Sequence, residues 1–303
     1  MSELDKQLGN LLKKFRLNAK LSQKELSENI ISRSTYTRVE YGETKISSTD
    51  LIQILDRLNL NYVEFFYLIE QDKTEKRLTL EESQQLGSNP NTTTQDLQNF
   101  YIKNMKKYKE TNDMFYYFSA IFAKVLLQDV TEKELTTIYN YLNNKEIFTF
   151  FDFSFLGNVI VYMDSERVYH LTNKMLPQLQ NINPDLKAYQ KLSLFFINLI
   201  NLGLANNDKE QTTKYIQSAK THNSNFPNYL MEIKLLYFEN LADFRFSNNV
   251  KSLKKCFTYI DIFKTTGYDK LVNECITDIS LYNKFKNQPV PISEFTPTHT
   301  KHL

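Results

Sequence analysis

Over the first seventy residues the apolar positions recur at helical spacing in short, separate groups. Leu8, Leu11, Leu12 and Phe15 stand at i, i+3, i+4 and i+7, the stripe of an amphipathic helix. Ser22 and Glu25 make a capping box, the serine accepting from a free amide while the glutamate reaches back, and a second helix runs from there through Leu26 and Ile30. Ser32 is placed to cap a third, SRSTYTRVEYG, with Tyr36 and Val39 turned inward and Gly42 able to stop it in the left-handed conformation. Leu51, Ile54, Leu55 and Leu58 mark a fourth helix, and Asn61 with Glu64 reads as another capping box before VEFFYLI. Five short helices are therefore predicted.

Beyond residue 95 the pattern changes to longer helices, starting near Asp96, Met114, Thr131, Thr149, Asp164, Pro184, Asp208, Pro227, Asn249 and Tyr268. Pro184 and Pro227 suit first-turn positions, where a missing amide costs nothing. They lie 43 residues apart and Tyr268 follows 41 later, a spacing that fits stacked helix pairs of a TPR-like solenoid without a strict consensus. Between the two regions the periodicity weakens, and LGSNPNTTTQ clusters the residues of a connection. The organisation expected is an all-α chain with a helical domain at 1–70, a linker at 71–95, a TPR-like α-solenoid at 96–287 and a flexible tail at 288–303.

Composition narrows the chemistry. Six glycines and seven prolines among 303 residues disfavour a many-stranded barrel or a glycine-rich phosphate loop. Cys256 and Cys275 are too few for a disulfide framework or a zinc site and are expected as reduced, buried thiols. No cysteine occurs before residue 96, so no disulfide control is expected there. With four histidines, two of them (His299 and His302) in the tail and neither His170 nor His222 in a catalytic motif, no metal, no cofactor and no enzyme activity is expected. No apolar run reaches the 18 residues of a membrane span and the N-terminus lacks a hydrophobic signal core, so a cytoplasmic location away from the membrane is expected.

The net charge of +2 hides a polarised N-terminal region. Residues 1–39 carry eight basic against four acidic side chains, whereas residues 40–70 carry two against six. Such a domain can turn one face to a polyanion. The second and third helices are separated by almost nothing, and the third opens with Arg33, Ser34 and Thr35. That arrangement fits a helix-turn-helix presenting a recognition helix to base edges.

LSQKELSENIISRSTYTRVEYGETKIS resembles the helix-turn-helix of phage-repressor (XRE) type, anchored by S-Q-K-E-L and R-V-E-Y-G-E. The continuation ISSTDLIQILDRLNLNYVEFF, and the later FTFFDFSFLGNVIVYMDSERVYHLTNKML, are similar to the Rgg/GadR/MutR transcriptional regulators. The resemblance implies a right-handed array of helical hairpins for dimerisation and for binding a short signalling peptide in quorum sensing.

Candidate DNA contacts follow residue by residue. Gln23 at the start of the second helix can clamp a phosphate, reach a base or act as a capping partner. Arg33, Ser34, Thr35 and Arg38 lie where the family's recognition helix meets the major groove, with the arginines as base readers. Lys13, Lys14, Arg16, Lys24 and Lys45 are candidate phosphate contacts. For a peptide, asparagine is apt because its amide can satisfy a backbone N–H and C=O together. Lys191, Leu194, Asn198, Asn201 and Ala205 share one helical face; Phe151, Phe155, Asn158 and Tyr162 share another; Ile233, Tyr237, Asn240 and Phe244 share a third. Asn158, Tyr162, Asn198, Asn201, Tyr237 and Asn240 are the groove candidates.

The function expected is a homodimeric, peptide-controlled regulator binding a double-stranded operator. The alternative is a helical-repeat scaffold whose N-terminal domain binds a protein.

Overall fold

The computed structural model describes residues 2–69, 75–179, 192–284 and 290. It is all-helical among those residues and divides into two compact units, Met1–Pro90 and Asn91–Leu303. The start expected at Pro184, Lys191, and all of the tail save Val290 lie outside the described residues.

The first unit holds α1 (Glu3–Asn18), α2 (Gln23–Ser27), α3 (Arg33–Glu40), α4 (Ser48–Arg57), α5 (Tyr62–Ile69) and α6 (Glu75–Ser88). Serine sets four of these starts: Ser2, Ser22, Ser32 and Ser47 each accept from the amide three residues on, satisfying a donor the helix leaves free. Asn61 caps α5 through the Val63 amide at 2.8 Å. The apolar stripes close over one core in which Leu12, Leu26, Tyr36, Val39, Leu51, Ile54, Leu55, Phe65 and Ile69 are buried. Two glycines permit this packing. A Cβ on Gly9 would stand 2.1 Å from the Val39 carbonyl oxygen, so only glycine lets α1 lie this close to α3. Gly42 has φ of 65° and turns the chain after α3. Residues 75–88, inside the stretch expected to be a linker, are helical instead, because EKRLTLEESQQL contains good helix formers that weak amphipathic periodicity concealed.

The second unit comprises α7 (Thr94–Thr111), α8 (Met114–Leu126), α9 (Glu132–Asn143), α10 (Phe150–Val159) with a 3-10 turn at Ile160–Tyr162, α11 (Ser165–Leu179), α12 (Ser193–Ala205), α13 (Lys209–Asn225), α14 (Tyr229–Ser247), α15 (Val250–Thr265) and α16 (Asp269–Lys284). Neighbours pack as antiparallel hairpins, α7 on α8, α12 on α13, α13 on α14 and α14 on α15. Alternate helices also touch: α8 with α10, α10 with α12, α12 with α14 and α14 with α16 form one layer, while α9 packs on α11 in the other. This is the two-layer stacking of a helical-repeat array. Aromatic rings fill it, Phe118 stacking on Phe155 at 3.9 Å and Phe153 meeting Phe195 edge-on at 5.6 Å.

Helix ends explain how a chain with six glycines turns so often. Asn112, Asn207 and Asn248 take left-handed conformations with φ of 54–56°, the role glycine usually fills. Pro227 is not in the first turn of α14: Asn228 is its cap, accepting from the Met231 amide, and the proline precedes it. Among the described residues no helix is long and apolar enough to cross a membrane.

Candidate nucleic-acid interface and ligand cavity

The sequence of α3 separates two faces. Tyr36, Val39 and Glu40 are buried, while Arg33, Ser34, Thr35 and Arg38 are exposed. The capping bond from Ser32 Oγ to the Thr35 amide, 3.0 Å, fixes the first turn, so these side chains project from a defined helical start. Arg38 is 4.0 Å from Glu43, both side chains 60% exposed, a solvated contact that leaves the guanidinium available.

Beneath α3 lies a buried polar network. Arg16 donates to both oxygens of Glu40, at 2.6 and 3.1 Å, and to the Leu21 carbonyl at 2.8 Å. Gln23 donates to Glu40 at 2.8 Å and accepts from the Thr37 hydroxyl at 2.9 Å. Burial by itself raises the Glu40 pKa, but the hydrogen bonds from Arg16 and Gln23 and the Arg16 charge outweigh it and hold the carboxyl below its usual range. One expectation is corrected here. Arg16 is 7% exposed and committed to Glu40, so it serves the helix packing rather than a phosphate. Gln23, half-buried, ties α2 to α3 through both ends of its amide.

The remaining basic candidates stand at the surface. Lys14, Lys24 and Lys45 are exposed; Lys13 is half-buried, its ammonium 4.9 Å from the centre of the Tyr41 ring. Sequence reasoning missed Arg57, which donates to the carbonyls of Glu25, Leu26 and Glu28 and closes the C-terminal end of α2. Its signal, a lone arginine ending an apolar stripe, is common to many solvated arginines.

In the second unit α12, α14 and α16 enclose an open cavity of about 710 Å³. Asn198 and Asn201 line it as the shared helical face required. Asn198 Nδ2 donates to the Gly157 carbonyl at 2.8 Å, tying α12 to α10, and Asn201 Oδ1 is buried without a partner among the described residues. The other groove candidates do not line it. Tyr237 is fully buried and donates to the Cys275 carbonyl at 2.9 Å, which makes it a core residue. Asn158 and Asn240 bond back to the carbonyls of Ser154 and Leu236 in their own helices. Tyr162 donates to the Val125 carbonyl at 3.0 Å.

The cavity's charges were missed: Lys234, Lys270, Glu274 and Asp278. Lys234 is 3% exposed, and burial lifts the Asp278 carboxyl to about 6 against the opposing pull of Lys234. Their signal was present. Lys234 sits three residues before Tyr237 within the run Ile233–Phe238, whose other members are apolar, and Asp278 falls between Cys275 and Ile279. Cys256 and Cys275 are both buried as free thiols, and burial raises both pKa values.

The sequence matches two family descriptions. Residues 94–277 match the C-terminal domain of the HTH-type transcriptional regulator Rgg, and residues 12–65 match a helix-turn-helix. No curated protein matches. Among solved structures, the SHP pheromone receptor Rgg2 of Streptococcus dysgalactiae superposes with a TM-score of 0.75 at 20% identity, covering 91% of this chain and 99% of that one. The PrgX/cCF10 complex gives a TM-score of 0.73 at 19% identity, covering 94% and 95%. A bacterial peptide pheromone/receptor complex gives 0.72 at 19%, covering 91% and 98%. At these identities the likeness concerns the fold, which is shared along nearly the whole chain. Family and fold are those of transcriptional regulators and not of enzymes. With a helix-turn-helix at 12–65 and the Rgg C-terminal domain over 94–277, the chain belongs to the Rgg family of helix-turn-helix transcriptional regulators.

Proposed function

We infer that this regulator binds an operator through α3 and is controlled by a short peptide received in the cavity of α12, α14 and α16. The observation that carries the DNA reading is the division of α3: four polar side chains exposed at and beyond its capped start, and an apolar face locked to the core. Arg33 and Arg38 are suited to pair bidentately with guanine, Ser34 and Thr35 to touch base edges or phosphate, and Lys13, Lys14, Lys24 and Lys45 to neutralise the backbone. Gln23 orients α3 from below.

The peptide reading rests on the cavity's size and on Asn198 and Asn201, whose amides can meet the main chain of an extended ligand. The receptors of similar fold, one described as an SHP pheromone receptor and another as a peptide pheromone/receptor complex, point the same way. A cytoplasmic homodimer on an operator of two-fold symmetry completes the proposal, since twin helix-turn-helix units read twin half-sites. The peptide acts by binding one arrangement of the dimer better than the other.

Fluorescence anisotropy with a duplex carrying the chain's own promoter, at two ionic strengths, tests the DNA reading. Binding that weakens steeply with salt is expected. Protein that ignores the duplex at low salt, with and without peptide, removes the reading.

A further inference from the structure

We propose that the cavity of α12, α14 and α16 recognises a carboxylate of its ligand, and that Lys234 is the group that receives it. This rests on the peptide reading and names the chemistry the pocket selects. Lys234 is 3% exposed yet lines the cavity, so its ammonium is held at the wall with little water around it. Its hydrogen-bonded acceptor is the thiol sulfur of Cys275 at 3.3 Å, a weak one. The Glu274 carboxylate stands 3.9 Å away, too far for a hydrogen bond, with its side chain 46% exposed. The faces of Tyr237 and Phe238, each 5.3 Å from the ammonium, supply the rest. A buried ammonium carries three donors and is costly to leave without a strong acceptor. An incoming carboxylate completes it in a low-dielectric setting, where a charge-assisted bond is strong.

The surroundings favour an anion that arrives with a ligand. Asp278 lies near Lys234, and burial raises its carboxyl to about 6, but it makes no ion pair with Lys234 within 4 Å among the described residues, so it does not take up the ammonium's donors. Glu274 is the competitor, since it can lean toward Lys234 when the cavity is empty and swing into water when it is filled. Asn198 and Asn201, which line the same cavity from α12, then meet the ligand's amides. The carboxylate can come from the C-terminus of a peptide or from an aspartate or glutamate side chain.

The test uses the full-length protein and synthetic pools of random octapeptides: free acids without Asp or Glu, C-terminal amides without Asp or Glu, and amides that include them. Retention is read by equilibrium dialysis and mass spectrometry. At least one carboxylate-bearing pool should be retained roughly tenfold better than the acid-free amides, as expected for one charge-assisted hydrogen bond. Preference for the free acids identifies the terminus, and preference for acidic amides identifies the side chain. Lys234→Met should abolish the preference. Glu274→Gln, a half-exposed change that leaves the packing intact, should strengthen it by removing the competing acid, an outcome no purely structural role for Lys234 produces. Equal retention of the three pools, or a Glu274→Gln protein with weakened preference, overturns the carboxylate assignment and leaves the peptide reading standing. Retention of no peptide overturns both.

Discussion

Arg33 and Lys14 are both exposed cations in the first unit, and the difference between them is what each can reach. At the start of α3, Arg33 is placed for base edges, so Arg33→Ala should cost roughly 1–3 kcal/mol and relax specificity at one position. Lys14→Ala should instead weaken all duplexes alike and flatten the salt dependence by about one phosphate's worth. Anisotropy across single-base operator variants separates them; uniform loss for Arg33 would reassign it to the backbone. Glu40 is a second residue-scale case. Its depressed pKa means that it stabilises the fold above its unfolded value near 4.5 and that this contribution is lost as pH falls through its lower folded value. Glu40→Gln leaves the Arg16 charge buried and unmatched, and should cost on the order of 3–5 kcal/mol at neutral pH in chemical denaturation. Asp278 behaves oppositely. Because its folded pKa is raised from 3.8 to about 6, wild-type stability should fall relative to Asp278→Asn as pH climbs between those values, then run parallel above them. A difference curve with no slope in that window would show that the carboxyl is not desolvated.

At the scale of the element, most starts were legible and most ends were not. Ser22, Ser32 and Thr131 announced helices because a hydroxyl capping its own N-terminus is a local interaction, written within four residues. Ends depend on a left-handed residue, and here asparagine takes that role at Asn112, Asn207 and Asn248, residues indistinguishable in sequence from the groove candidates. The same ambiguity explains the site. Helical spacing placed Asn158, Asn198, Asn201 and Asn240 on inward faces, but only the packing of α12 against α14 and α16 decides which two border open space. Lys234 escaped because a lysine within an apolar run reads as snorkelling until a neighbouring helix is seen to cover it. Gly9 offers an element-scale prediction. Gly9→Ala gains up to about 1 kcal/mol of helix propensity. It also drives a methyl into the Val39 carbonyl at 2.1 Å, and overpacking of this kind costs roughly 1–3 kcal/mol. Backbone cannot yield as a side-chain tip can, so the net sign should be destabilising, seen as a lower urea midpoint.

For the whole molecule, the two cores share no residue: one is built from α1 to α5, the other from the helical array. The array has the larger core by far, and apolar burial is the main source of stability, so the helix-turn-helix unit should be the weaker of the two. Scanning calorimetry should then resolve two transitions. Glu40→Gln should lower only the first and Asp278→Asn should move only the second; a single transition displaced by both changes would mean that the units unfold as one. The proposed control by a ligand carries a thermodynamic constraint. On the proposed reading, a peptide bound to α12, α14 and α16 acts on operator binding through a difference in its affinity for two states of the protein. Linkage then requires reciprocity: whatever factor a saturating peptide applies to operator affinity, saturating operator must apply to peptide affinity. Titrating fluorescent peptide into the protein alone and into its operator complex measures the second factor, and anisotropy of the duplex measures the first. Unequal factors would mean that the peptide acts by changing the oligomeric state at the concentrations used, which sedimentation of the free and liganded protein would reveal.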